Sequence, residues 1–323
     1  MSLPDTLSFV FRQIEALRFE GQPRELYHPI EYSLKNGGKR MRPAMTIMAC
    51  QMFGGDPQKA LHAAIGLELF HNFTLMHDDI MDNATIRRGL PAVHTKWNAN
   101  TAILSGDAMF ALAGSYVSRV DDACLRPVID TYHATALQVC EGQQLDMNFE
   151  TRTGVSLDEY IEMIRLKTAV LPAACLKIGA IVGGATQSQQ DHIYNFGQYI
   201  GLAFQLKDDW LDAFGNEARF GKKTGGDIIA NKKTWLYIKA LELANGQQRQ
   251  TLLMTYAGHP EQPGQKIKTV TGIFLDLGID KLGKKQMEEW YQEAFRHFDL
   301  IEVAHAAKED LRALAGSLFD REL

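Results

Sequence analysis

The sequence predicts an all-α chain folded as one domain over residues 1–323, and three observations carry that expectation. Apolar residues recur at three- and four-residue spacing over 58–83, 103–120, 127–148, 157–182, 189–212 and 284–318, the mark of helices with one buried face. Alternating runs long enough to build a sheet, and any strand–helix–strand pattern, are hard to find. Turn-forming clusters fall between the periodic stretches: Asn36-Gly37-Gly38, Gly54-Gly55-Asp56-Pro57, Gly183-Gly184, Gly225-Gly226, and Gly258 to Gly264 with two prolines. No solenoid-length repeat and no low-complexity segment interrupts this order. The lengths of the stretches imply about ten or more helices.

The bulk properties narrow the function classes. Hydrophobic residues make up 46% and charged residues 23% of the chain, the ordinary balance of a globular protein in water. A net charge of −5 provides no basic field for nucleic acid, so none is expected as a partner. No apolar run approaches the ~20 residues that span a bilayer, and the first residues lack a signal-peptide layout. Cys50, Cys124, Cys140 and Cys175 lie far apart without metal-binding spacing and read as reduced core cysteines of a cytoplasmic protein.

The first acidic cluster lies at the end of the stretch over 58–83, in HNFTLMHDDIMD (71–82). Asp78 and Asp82 are four residues apart, so on a helix they share one face, about 5–6 Å between Cβ atoms. Two carboxylates that close repel unless a cation joins them. Magnesium suits this arrangement, because it takes one or two carboxylates and completes its shell with phosphate oxygens and water. A solvated acidic helix end is the simpler account of one such pair alone. Arg87 and Arg88 follow directly, and adjacent arginines beside a metal-binding pair suit a diphosphate. His71 and Thr74 lie on the Asp78 face.

The pattern then repeats. FQLKDDWLD (204–212) places Asp208 and Asp212 at the same spacing, a recurrence hard to assign to chance. Facing helices that each offer such a pair would clamp magnesium around one diphosphate. The segment after it carries Gly215, Gly221, Gly225 and Gly226 with Lys222, Lys223, Lys232 and Lys233, which suits a loop closing over phosphate.

Further polar residues stand in between. Lys39 and Arg42 lie three apart at a helix start, with Pro43 in its first turn. Gln143 and Asp146 lie in a helical stretch between apolar residues, where they suit either metal-bound water or a structural hydrogen-bond pair. In RLKTAVLP (165–172), Pro172 removes the bond to the carbonyl of Thr168, next to Lys167. The expected kink would turn that carbonyl toward a cationic intermediate, or simply aid packing.

With these residues in place, the chain resembles the trans-isoprenyl diphosphate synthases, the farnesyl and geranylgeranyl diphosphate synthase family. The likeness rests on GGKRMRP, HDDIMDNATIRRG, GQxxD at 142–146, KT at 167–168 and the FQLKDDWLD…GK…D…NKKT block, from about Gly37 to Thr234. It implies a multi-helix bundle around a central cavity, a homodimer, and three Mg2+ ions. It also implies condensation of isopentenyl diphosphate with dimethylallyl, geranyl or farnesyl diphosphate. By the family pattern Asp78, Asp82 and Asp208 are metal ligands, supported by Asp79 and Asp212. Lys39, Arg42, His71 and Arg88 would hold isopentenyl diphosphate. Arg87, Lys167, Lys222 and Lys232 would hold the allylic diphosphate, with Thr168 and Gln205 near the reacting carbons.

Product length is expected to depend on Phe73 and Thr74, five and four residues before Asp78, ~6–7.5 Å deeper along the helix. In the family one aromatic at the fifth position goes with twenty carbons and two aromatics with fifteen, so C20 is expected ahead of C15. Phe73 as ordinary core is the competing reading. Some eukaryotic members end in a basic tail, whereas this sequence ends FDREL. A class I terpene cyclase would carry an Asn/Ser/Glu motif where Asp208–Asp212 stand, and a non-catalytic partner subunit would have lost aspartates or arginines.

Overall fold

The computed structural model describes residues 1–215, 224–258 and 262–319. In chain order the helices are α1 (Leu3–Glu15), α2 (Arg24–Lys35), α3 (Met41–Met52) and α4 (Pro57–Met81). A hairpin of two-residue strands, β1 (Ile86–Arg87) and β2 (Leu90–Pro91), follows. Next come α5 (Val93–Lys96), α6 (Ala99–Val117), α7 (Asp122–Thr151), α8 (Leu157–Ile164), a π-helical turn (Arg165–Ala169), α9 (Val170–Val182) and α10 (Gln187–Phe214). The remainder is α11 (Gly226–Ile229), α12 (Trp235–Leu243), α13 (Gly246–Tyr256), α14 (Pro263–Asp276), α15 (Ile279–Asp299) and α16 (His305–Phe319). The all-α expectation holds, with the hairpin as its one departure among the described residues.

Local chemistry sets where these helices begin. Asp56 accepts from the Gln58 amide, and Pro57 occupies the first position of α4. Asn98 accepts from the Thr101 amide at the start of α6, and Ser156 with Glu159 forms a reciprocal capping box on α8.

The chain divides into two compact units. The first contains Met1–Ala134, Ala174–Ile193 and Glu302–Leu314. Its α4 is buried around most of its circumference, through Ala63, Ala64, Leu67, Leu69 and Phe70. A Cβ at Gly66 would lie 2.7 Å from the Ala113 carbonyl oxygen, so a glycine there lets α4 and α6 approach closely. The second contains Thr135–Ala173, Tyr194–Ile301 and the residues from Ala315. Its core gathers Leu206, Trp210, Trp235, Leu236, Phe274, Met287 and Trp290, from α10, α12, α14 and α15.

Three expectations need correction. The stretch 284–318 is two helices, α15 and α16, because the chain leaves helical geometry after Asp299 and resumes it at His305. The irregularity before Pro172 takes the form of the π turn at Arg165–Ala169. All four cysteines are free, but only Cys50 and Cys175 are buried; Cys140 is exposed because it falls on the outer face of α7.

Candidate active site

In the first unit the end of α4 presents Asp78 and Asp82, one helical turn apart. Asp79, a residue further round the helix, is buried, and its Oδ1 accepts from Arg87 Nε at 2.8 Å and from Arg87 Nη2. Burial raises the Asp79 carboxyl, and Arg87 opposes the rise. The same guanidinium lies 3.8 Å from Asp78 Oδ2. Arg88 and Gly89 adopt left-handed backbone, φ 52° and 79°, at the hairpin turn. That turn sends the two arginines apart: Arg88 Nη1 donates to the Gly37 carbonyl at 2.6 Å. Gly38 (φ 108°) lies directly beneath, where an added Cβ would sit 2.7 Å from Arg88 Nη1.

Arg40 anchors the segment that carries Lys39 and Arg42. It is buried, has left-handed backbone (φ 51°), and donates to Glu68 Oε1 at 2.5 Å and to the Leu34 carbonyl. Asn72 Nδ2 secures Glu68 from the next turn of α4. Lys39 is left exposed, while Arg42 Nη1 meets His71 Nε2 at 3.1 Å. Burial, then the positive charges of Arg42, Arg88, Arg40 and Arg87, holds His71 well below its ordinary range, so the imidazole is neutral and accepts from Arg42. Asn36, Asn72, Asp79, Arg87 and Arg88 line a cleft beside this cluster. Phe73 packs against His77, Phe110 and Phe70, with ring centroids 4.8, 5.3 and 5.7 Å away, and Thr74 Oγ1 donates to the His71 carbonyl.

The second unit holds the other acidic pair. A Cβ at Gly142 would lie 2.2 Å from the Lys167 amide nitrogen, so this glycine lets α7 lie directly on the π turn. Across that contact Lys167 Nζ donates to Asp146 Oδ2 at 2.5 Å. A chain of hydrogen bonds leads away from the turn. Thr168 Oγ1 donates to Gln205 Oε1 at 3.1 Å, and Gln205 Nε2 donates to Asp209 Oδ1 at 3.0 Å. Tyr160 Oη donates to Asp209 Oδ2. Burial, reinforced by the charges of Asp227 and Asp208, pushes the Asp209 carboxyl up to about 8.

Asp212 accepts from the backbone amides of Gly226 at 3.1 Å and Asp227 at 3.0 Å, which ties α10 to the start of α11. Asp227 is pushed up to about 6 by burial, opposed by Lys232 and reinforced by Asp212, Asp146 and Asp208. Lys232 Nζ lies 3.9 Å from Asp227 Oδ1. Asp208 is exposed, and Gln143 is half-buried on α7. Lys222 lies outside the described residues.

A carboxylate whose acidic neighbours raise its affinity for protons, as Asp212, Asp146 and Asp208 do for Asp227, sits in a group that a divalent cation would relieve. Asp146, Asp208, Asp212 and Asp227 therefore fit magnesium chemically. Among the described residues no three His, Cys, Asp or Glu side chains are set to hold a metal by themselves.

Sequence reasoning took Asp227 in as part of a motif without giving it a role, and missed Tyr160 and the Arg40–Glu68 pair. Asp227 had a signal, the Gly225-Gly226 just before it. Tyr160 had none, since its partner lies 49 residues away.

An all-α fold that carries two helix-borne aspartate pairs, each beside cations suited to phosphate, defines the isoprenoid synthase class. The chain belongs to the polyprenyl synthetase family, whose pattern matches residues 23–273. It is a prenyltransferase that elongates short prenyl chains. It is 36% identical to the geranylgeranyl pyrophosphate synthase of Geoglobus acetivorans, over 99% of this chain and 98% of that one. It is 44% identical to the geranylgeranyl diphosphate synthase of Methanosarcina mazei, over 73% of each. A crystal structure of a geranylgeranyl pyrophosphate synthase superposes with a TM-score of 0.95 at 41% identity, covering all of both chains. The geranylgeranyl pyrophosphate synthetase of Pyrococcus horikoshii gives 0.92 at 31% identity, over 99% of this chain and 97% of that one.

Proposed function

We propose that the chain, acting as one catalytic domain, joins isopentenyl diphosphate head to tail to dimethylallyl, geranyl and farnesyl diphosphates, with geranylgeranyl diphosphate as main product. The observation that carries this reading is the acidic group of Asp146, Asp208, Asp212 and Asp227, whose charges crowd Asp227, set beside Lys167 and Lys232.

Asp78, Asp82 and Asp208 are the proposed ligands of three magnesium ions, with Asp79, Asp212, Gln143 and Asp146 in support. Bound magnesium would neutralise charge that develops on the departing allylic diphosphate, usually the largest catalytic contribution. Arg87, Lys167, Lys232 and Lys222 orient that diphosphate. Lys39, Arg42, His71 and Arg88 hold isopentenyl diphosphate, and the divergence of Arg87 from Arg88 supports their serving different substrates. Thr168 holds the Gln205 amide, which lies near the reacting carbons and helps exclude water. The released diphosphate is the natural acceptor for the last proton.

Phe73 within its aromatic cluster, with small Thr74 beside it, supports a stop at twenty carbons, as do relatives named geranylgeranyl diphosphate synthases. The exposed apolar residues Ile103, Leu104 and Phe110 on α6 support a homodimer. Four free thiols support a reducing, cytoplasmic setting. Among the described residues no helix is long and apolar enough to cross a membrane.

The test is mass spectrometry of products formed from isopentenyl diphosphate, magnesium and each allylic primer in turn. A ladder ending at twenty carbons is expected. A stop at fifteen overturns the length assignment alone; hydrocarbons without condensation would point to a cyclase and overturn the reaction.

A further inference from the structure

The motifs end near Thr234, yet a residue of α14, far beyond them, reaches the loop that carries Asp227 and Lys232. Lys266 is only 5% exposed. Among the described residues its ammonium has one hydrogen-bond acceptor, Asn231 Oδ1, and no carboxylate at ion-pair distance. Its charge otherwise faces the ring of Tyr256, 5.2 Å from the centroid, and that ring stacks on Tyr237 at 3.8 Å. A buried lysine is costly unless its donors are used, so its expenditure on a neutral amide calls for a reason.

Asn231 provides one. It closes the turn after α11 in left-handed backbone, φ 58°, a conformation that asparagine takes more readily than other non-glycine residues and that its side chain can secure. The next residue is Lys232, whose amide donates to the Asp227 carbonyl at 2.9 Å and whose Nζ faces the Asp227 carboxylate. The opposite end of the same loop is held by the neighbour of Lys266. At Gly225 (φ 83°) an added Cβ would lie 2.5 Å from Ile267 Cδ1, so Ile267 lies flat on the glycine from which α11 starts. Consecutive residues of α14 thus clamp both ends of the 225–232 loop.

We infer that Lys266 is a positioning residue for allylic diphosphate binding: with Ile267, it fixes the 225–232 loop so that Lys232 is aimed at the leaving group. This rests on the assignment of Lys232 to the allylic diphosphate made above. The consequence is selective. Removing the Lys266 donor leaves the Asn231 side chain only its long bond to the Gly258 carbonyl, 3.4 Å, which loosens the turn and misplaces Lys232, while Lys39, Arg42, His71 and Arg88, on other elements, keep their places.

The test is steady-state kinetics of the full chain, with KM determined separately for geranyl diphosphate and isopentenyl diphosphate. Lys266→Met keeps the stem and removes the charge; it is expected to raise the geranyl diphosphate KM by up to about tenfold, the effect of losing the one charge-assisted contact that Lys232 makes. The isopentenyl diphosphate KM should move less than about twofold, since a general loss of fold would raise both. Lys266→Arg should recover part of the loss. Asn231→Gly, which permits the left-handed backbone but removes the acceptor, should reproduce the Lys266→Met pattern and keeps the test decisive if Lys266→Met does not fold. Lys232→Ala separates the two assignments. If it leaves the geranyl diphosphate KM unchanged, the role of Lys232 fails and the inference falls with it. If Lys232→Ala raises that KM while folded Lys266→Met and Asn231→Gly leave it unchanged, or raise both KM values equally, the inference alone is overturned.

Discussion

The two units pair the charges around their aspartates to different extents. In the first, charge is already matched: Asp79 accepts twice from Arg87, Arg40 is bonded to Glu68, and Arg42 is bonded to a neutral His71. In the second, carboxylates crowd one another, and burial drives Asp209 and Asp227 up to about 8 and about 6. Lys167 and Lys232 offset only part of that repulsion. The difference teaches that the first cluster pairs most of its charge with its own residues, whereas in the second the crowded carboxylates would be relieved by added positive charge. The same five-residue motif therefore does different electrostatic work in its two settings.

Removing a carboxylate should separate the two behaviours most sharply in activity. Asp208→Asn is expected to lower kcat by about a hundredfold to a thousandfold, the usual effect of removing one group that stabilises developing charge. The metal-free protein should nevertheless melt at the same temperature or higher, because a repelled charge has been removed. A clear loss of metal-free thermal stability in Asp208→Asn would break the comparison.

Asp79→Asn should behave in the reverse sense. It leaves the partly buried Arg87 without its carboxylate, so the folded state should lose about 1–3 kcal/mol, discounted toward the lower end because Arg87 is one-third exposed. Urea unfolding checks it; an unchanged midpoint would show that the first cluster is not charge-matched as described.

The pH dependence probes the crowding of the second unit directly. The Asp209 carboxyl has a folded value near 8 against ~3.9 in an unfolded chain. Between those values the folded state binds more protons, so its contribution to stability is present at low pH and is lost as pH rises through about 8. The metal-free protein should accordingly lose stability from about pH 5 to 8, and Asp209→Asn should flatten that slope. Saturating magnesium with diphosphate should flatten it too. A slope that survives both changes would assign the dependence elsewhere.

Much of the site was legible because its parts are local. The four-residue spacing of Asp78 with Asp82, and of Asp208 with Asp212, follows from helix geometry alone, as does the turning away of the middle residues Asp79 and Asp209. Clusters such as Lys39 with Arg42, and Arg87 with Arg88, are visible in any window of a few residues. Helix boundaries were less secure where the chain breaks without glycine or proline, as between α15 and α16.

What the sequence by itself determined, then, is which residues carry charge and on which helical face each pair stands. Which charge meets which was decided only by packing. Arg40 finds Glu68 across 28 residues, Lys266 finds Asn231 across 35, and Tyr160 finds Asp209 across 49. Periodicity is a property of a single helix and repeats every 3.6 residues. A buried partner is a property of two elements brought together, and the desolvation that makes such a pair necessary arises only once the surrounding core has formed.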